Sequence, residues 1–168
     1  MKRVLAVDYS TVAVGFAVVG RKQGEPFLRH SEMLDWDRDV SHRQRRWQVA
    51  QRVQELVTEW EPDAVVFEAL RLFNKGKINL TTIIRLCAMC TEIADAVPES
   101  VPSFTVQTQT WKKIALGDGR ATKADCVRRM KEAWGKDVTH DEADAIGIGV
   151  AVMRMGKDHR ARYLRRWE

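Results

Sequence analysis

The chain has 168 residues, 45% hydrophobic and 30% charged, with a formal net charge of +5. That length suits one globular domain with a single core, and the composition excludes a disordered or collagen-like chain. No apolar run approaches the ~20 residues that span a membrane. The odd count of three cysteines argues against a disulfide framework, so a reducing, cytoplasmic setting is expected.

The chain opens on a short apolar run, residues 3–7 (RVLAV), which delivers a single carboxylate, Asp8, at its end. A second apolar run covers 14–20 and a third 27–34, with Gly20, Gly24 and Pro26 marking the break between them. This spacing predicts a three-stranded antiparallel meander. The period then changes. Trp47, Ala50, Val53, Leu56, Val57 and Trp60 fall at helical spacing, and Pro62 ends that helix. Residues 64–67 (AVVF) read as a buried strand that also ends in a carboxylate, Glu68. A basic loop follows at 70–78, then a helix over 79–96 and a strand over 103–106. A short helix or turn at 107–116 leads to Gly117-Asp118-Gly119, and two helices are expected at 122–134 and 141–155. Strands that meander and then alternate with helices predict an α/β fold. Its mixed five-stranded sheet has three antiparallel and then parallel strands, flanked by helices. One domain is expected over 1–156. The segment 157–168 reads as a basic tail on a nearly neutral body, which points to a polyanionic partner.

Asp8 and Glu68 emerge at one sheet edge if the first and fourth strands are parallel neighbours. Asp141 and Asp144 share one face at the start of the last helix. A helix N-terminus favours negative charge, so capping explains one of this pair well and both poorly. A turn-initiating role for Asp8 remains open at this point. Four converging carboxylates call for cations, and hard oxygen ligands select Mg²⁺ or Mn²⁺. Two such ions would serve phosphodiester hydrolysis. Around them, Arg71, Lys75 and Lys77 flank Phe73, a pattern suited to phosphates and an unpaired base. Lys112, Lys113, Arg120 and Lys123 form a second basic cluster. Cys87 and Cys90 form a C-x-x-C inside a helix with no second pair, and read as small buried apolar residues.

These segments together resemble the RuvC family of Holliday-junction resolvases, in the ribonuclease H-like superfamily. The carriers are the hairpin from Val4 to Val19 with Asp8, the Val65-Val66-Phe67-Glu68 strand, the segment from Trp111-Lys112 to Lys123, and Asp141-Glu142-Ala143-Asp144-Ala145. The resemblance implies a metal-dependent homodimeric endonuclease that cuts four-way DNA junctions. It implies Asp8, Glu68, Asp141 and Asp144 as ligands of two Mg²⁺ ions, for which Mn²⁺ can substitute. It implies Lys112 and Lys123 near the scissile phosphate, with Lys123 counted as catalytic, and a dimer interface through the 79–97 helix. Two features depart from the family pattern. Asp8-Tyr9-Ser10 stands where Asp-Pro-Gly is common, and Arg71 stands at the position of a junction-wedging aromatic, with Phe73 the nearest ring. Those departures resemble the bacteriophage branch, so a bacterial or phage-infected cytoplasm is expected. A broader branch or flap nuclease and a non-catalytic junction-binding module are the alternatives. An actin-like nucleotide-binding fold would need a much longer chain.

Overall fold

The computed structural model describes residues 1–70 and 79–167. Its centre is one six-stranded sheet with strand order β3-β2-β1-β4-β5-β6. β1 (Arg3–Tyr9), β2 (Ala13–Lys22) and β3 (Glu25–Asp35) form the antiparallel meander. β4 (Val65–Glu68) pairs parallel with β1, and β5 (Ser103–Val106) pairs parallel with β4. The expected mixed sheet is therefore present, with one strand more than the sequence suggests. The segment 157–167 carries α6 (Lys157–Tyr163) and a two-residue β6 (Arg165–Arg166), which pairs antiparallel with β5. Leu164 is buried between them, and the Trp167 ring lies 5.7 Å from that of Phe67.

The period-2 alternation of each strand divides the core in two. Val4, Ala6, Ala17, Val19 and Val66 face one side of the sheet. There they meet α3 (Thr108–Leu116), α4 (Lys123–Trp134) and α5 (His140–Arg154). Leu5, Val7, Val14, Phe16, Val18, Val65 and Phe67 face the other side, under α1 (His42–Trp60) and α2 (Leu80–Asp95). Asp8 has the parity of Val4 and Ala6, and Glu68 that of Val66. Both acids therefore leave their strands on the α5 side.

α5 is buried on almost every side, from Glu142 through Met153. Such a helix must lie close to the sheet, and two glycines make room for it. A Cβ at Gly15 would stand 2.1 Å from the Asp141 carbonyl oxygen, so the bare backbone of β2 lets the start of α5 come down onto the strand. A Cβ at Gly147 would stand 2.5 Å from the Trp111 ring, so α5 also leaves a slot for that indole.

Two sequence readings on the other face change. Trp47, placed in the core by its spacing, is 60% exposed; the buried stripe of α1 is Val49, Val53, Leu56 and Val57. On α2, Cys90 is buried but Cys87 is exposed, because the inward stripe runs through Met89, Cys90, Ile93 and Ala94. In both helices the apolar pattern is wider than the face the sheet can cover. Among the described residues no helix is long and apolar enough to cross a membrane.

Candidate nuclease site

The parallel pairing of Val7 with Phe67 sets the next residues, Asp8 and Glu68, at the same edge of the sheet. Across the sheet Asp8 is paired with Gly15, and Gly15 is the residue on which the start of α5 rests. One contact chain thus runs from Asp8 through Gly15 to Asp141, with Asp144 one turn further along α5.

Capping does not account for the α5 acids. Thr139 is the N-cap, its hydroxyl accepts from the Glu142 N–H at 3.2 Å, and Glu142 Oε2 accepts from the Thr139 N–H at 3.1 Å. That reciprocal box satisfies the helix start. Glu142 is further held by the Ser31 hydroxyl and by Lys136. Asp141 and Asp144 are left with no capping duty.

Glu68 is fixed by two donors from α3. The Thr108 hydroxyl donates to Oε1 at 2.7 Å and the Trp111 indole N–H to Oε2 at 2.8 Å. Trp111 is fully buried, in the slot left by Gly147. Charge spacing in the sequence singles out Lys112 and passes over these neighbours. The signal that marks them is a tryptophan three residues after a threonine, at helical spacing just beyond a strand that pairs with the Glu68 strand.

Asp144 is only 6% exposed, and its Oδ1 is buried with no hydrogen-bond partner. The Cys126 thiol lies against this carboxylate. Burial, with the Asp144 charge next, pushes that thiol up to about 12, so it stays a neutral donor. Burial also raises the Asp144 carboxyl, against the pull of Cys126, Lys112 and Lys123. Asp8 is affected most strongly. Burial, then the charges of Asp144, Glu68 and Asp141, push it well above the usual carboxylate range, and Lys123 opposes them. Removing a carboxylate from water beside three others is unfavourable unless positive charge joins them.

Lys123 Nζ stands 3.9 Å from Asp141 Oδ1 and is largely exposed, so it is free to move toward a bound anion. Lys112 is held in place: Nζ donates to the Ala121 carbonyl at 2.8 Å and lies 5.3 Å from the centre of the Trp111 ring. Lys113 is exposed on α3, beside a groove lined by Gln109, His159 and Tyr163. Arg120 is exposed on the turn before α4. Arg71, Phe73, Lys75 and Lys77 lie outside the described residues.

The donor set matches a hard divalent cation. It is all oxygen, and it includes a buried oxygen lacking any donor. Among the described residues no three His, Cys, Asp or Glu side chains are already drawn into an arrangement that could hold a metal ion.

No family model matches the chain. The crossover junction endodeoxyribonuclease RuvC of Vibrio cholerae is 25% identical over 154 residues, covering 89% of this chain and 86% of that protein. RuvC of Chlorobium chlorochromatii is 23% identical over 162 residues, covering 94% and 82%. Thermus thermophilus RuvC, solved in complex with a Holliday junction substrate, superposes with a TM-score of 0.78 at 20% identity, covering 99% of this chain and 100% of that one. The yeast mitochondrial Holliday junction resolvase gives a TM-score of 0.61 at 14% identity, covering 91% and 78%. The fold is the ribonuclease H-like fold of these nucleases, and the chain is a distant homologue of RuvC over most of its length.

Proposed function

We propose that this distant RuvC homologue is a divalent-metal-dependent endonuclease that cuts four-way DNA junctions by phosphodiester hydrolysis. The observation that carries the reading is the convergence of Asp8, Glu68, Asp141 and Asp144 at one end of the central strands, with Asp144 Oδ1 buried and unpartnered. These four residues would hold Mg²⁺, or Mn²⁺ in its place, two ions to a site. Bound there, the cations supply an activated water and neutralise charge on the phosphate. The chain's own groups do the rest. Thr108 and Trp111 hold the Glu68 carboxylate in one orientation, Cys126 and Lys112 brace Asp144, and Lys123 reaches the phosphate as charge builds on its oxygens. Cleavage would leave 5′-phosphate and 3′-hydroxyl ends. Arg71, Phe73, Lys75 and Lys77, next along the chain from Glu68, together with Lys113 and Arg120, are assigned to the DNA backbone and to an unpaired base. Free cysteines at 87, 90 and 126 suit a reducing bacterial or phage-infected cytoplasm.

The test is a labelled immobile four-way junction, a flap and a linear duplex, each with Mg²⁺, Mn²⁺ or chelator, alongside Glu68→Gln. Paired metal-dependent nicks in the junction alone, absent from the variant, are expected. Equal cutting of the flap would shift the reading to a general branch nuclease. Binding without cleavage under both metals would leave a junction-binding module.

Two further outcomes are expected. Thr108→Val keeps the shape of the side chain and removes one donor to Glu68. It should raise the Mg²⁺ concentration for half-maximal cleavage by about tenfold, the scale of losing an outer partner of a metal ligand. An unchanged metal titration would remove Thr108 from the site. The second concerns assembly. Leu80, Ile84 and Cys87 share one face of α2, and Leu80 and Ile84 are 68% and 59% exposed. That apolar face supports a homodimer through α2, with one carboxylate site per subunit. Light scattering should report a dimer for the natural chain and a monomer for Ile84→Arg; a natural monomer at micromolar concentration would exclude this interface.

A further inference from the structure

The start of α1 carries an arrangement of charge that helix stability does not ask for. A helix N-terminus is the positive end of the macrodipole and favours acids. α1 has none in its first turn, and places Arg43, Arg45 and Arg46 within its first five residues. Arg45 serves the fold: its guanidinium donates to the carbonyls of Thr11, Asp37 and Val40, each at 2.9 Å. Those bonds tie the helix start to the turn that follows Asp8. The end of β3 lies at the same edge, since Ala13 pairs with Asp35. α2 also begins at this edge, following β4 and Glu68 in the chain, and brings Arg85 up beside His42.

The result is a group of arginines adjoining the carboxylate edge, on the α1–α2 side of the sheet. Among the described residues only Arg46 has a carboxylate partner, Glu92 at 3.1 Å; Arg38, Arg43, Arg45 and Arg85 have none within ion-pair distance. Asp35, Asp37 and Asp39 lie in the approach to the helix but bond none of these guanidinium groups through their side chains. His42 Nε2 and Arg46 Nε are buried without partners. Burial, then Arg46, Arg85 and Arg45, hold the His42 imidazole below its usual range, so it stays neutral among cations. Trp47, four residues after Arg43 and on its face of the helix, is 60% exposed.

We propose that Arg38, Arg43 and Arg85, with Arg46 behind them, form a second phosphate-binding surface that carries a duplex arm of the branched DNA past the carboxylate edge. This rests on the nuclease reading above and adds to it a contact surface on α1 and α2. The occupant is the DNA backbone because Arg38, Arg43 and Arg85 are exposed, without carboxylate partners among the described residues and next to the edge where strand cleavage would occur, and because unpaired guanidinium groups suit phosphate oxygens.

The experiment measures junction affinity against salt, with the divalent cation chelated, for three proteins. These are the natural chain, Arg43→Gln with Arg85→Gln, and Lys22→Gln with Arg29→Gln. The last pair removes two charges from the far edge of the sheet. Each phosphate contact contributes about 0.9 to the slope of log affinity against log salt, which at 0.1 M salt is about eightfold in affinity. The α1–α2 variant should therefore lose about eightfold per arginine and its slope should fall by about one per arginine, while the far-edge variant stays near the natural chain. Trp47 gives a second readout. The part of the emission lost on Trp47→Phe should be quenched when junction is added to the natural chain. An α1–α2 variant with natural affinity, natural slope and no Trp47 quenching overturns the inference, even if the natural chain cuts junctions. A natural chain that does not bind the junction overturns the nuclease reading instead.

Discussion

An Asp8→Asn variant is expected to lose cleavage by on the order of 10³-fold while melting no lower than the natural chain in chelator. The two halves of this result have one cause. Asp8 is embedded at the sheet edge with Glu68, Asp141 and Asp144 around it, and burial and those charges all disfavour its ionised form. Asn has the same shape and no charge. It relieves the repulsion in the metal-free protein and removes an anionic oxygen from the group that would hold the cations. A loss of 10³-fold corresponds to about 4 kcal/mol of transition-state stabilisation. The pH dependence has a definite sign. A carboxyl raised in the folded state holds its proton more tightly there than in the unfolded chain, so metal-free stability falls as pH rises above about 4, through the raised value. The Asn variant should lack that part of the decline. Single-turnover cleavage of a labelled junction and calorimetry in chelator at two pH values check both halves. A variant that cuts within tenfold of the natural rate, or that melts several degrees lower, would make Asp8 a structural residue.

Gly15→Ala is expected to be the most damaging single methyl group in the chain. Its Cβ would stand 2.1 Å from the Asp141 carbonyl oxygen and 2.3 Å from the carbonyl carbon, both backbone atoms of a helix held in place by its own core. Nothing at the contact is a flexible side-chain end. Overpacking commonly costs 1–3 kcal/mol and here should reach about 3 or more. At roughly 2–4 °C per kcal/mol for a chain of this size, melting should fall by about 6–12 °C. Gly20→Ala on the same strand is the control, because its Cβ meets the movable Arg29 side chain at 3.3 Å. If the Gly15 variant folds, the start of α5 has moved and cleavage should fall with it. Equal melting temperatures for the two variants would mean that α5 does not bear on β2 as described.

Much of this arrangement is legible in the amino-acid sequence. Asp8 and Glu68 end apolar runs, and period-2 alternation puts both on the same face once their strands pair in parallel. The α5 acids are legible as a pair but not as free ligands; that needs the Thr139–Glu142 box, which shows that capping is already satisfied. The clamp on Glu68 is hidden, because Trp111 looks like any helical core residue until α3 is set beside β4. The exposure of Trp47 and Cys87 escapes a reading by spacing, because helical spacing identifies an apolar stripe, not how much of it the sheet covers. The sixth strand is two arginines long, and no local propensity marks it. Its place follows only from β5 having a free edge.

The position of α5 has a consequence for when the carboxylate site comes into being. β1, β2 and β3 are neighbours in the chain and can zip together as they leave the ribosome. Glu68 follows soon after, but the two remaining acids wait for a helix near the other end of the sequence. Loop closure over that distance makes their arrival a late event. The same docking step fills the core on that face of the sheet and completes the set of four acids, so the carboxylate site is assembled only as that half of the core is packed.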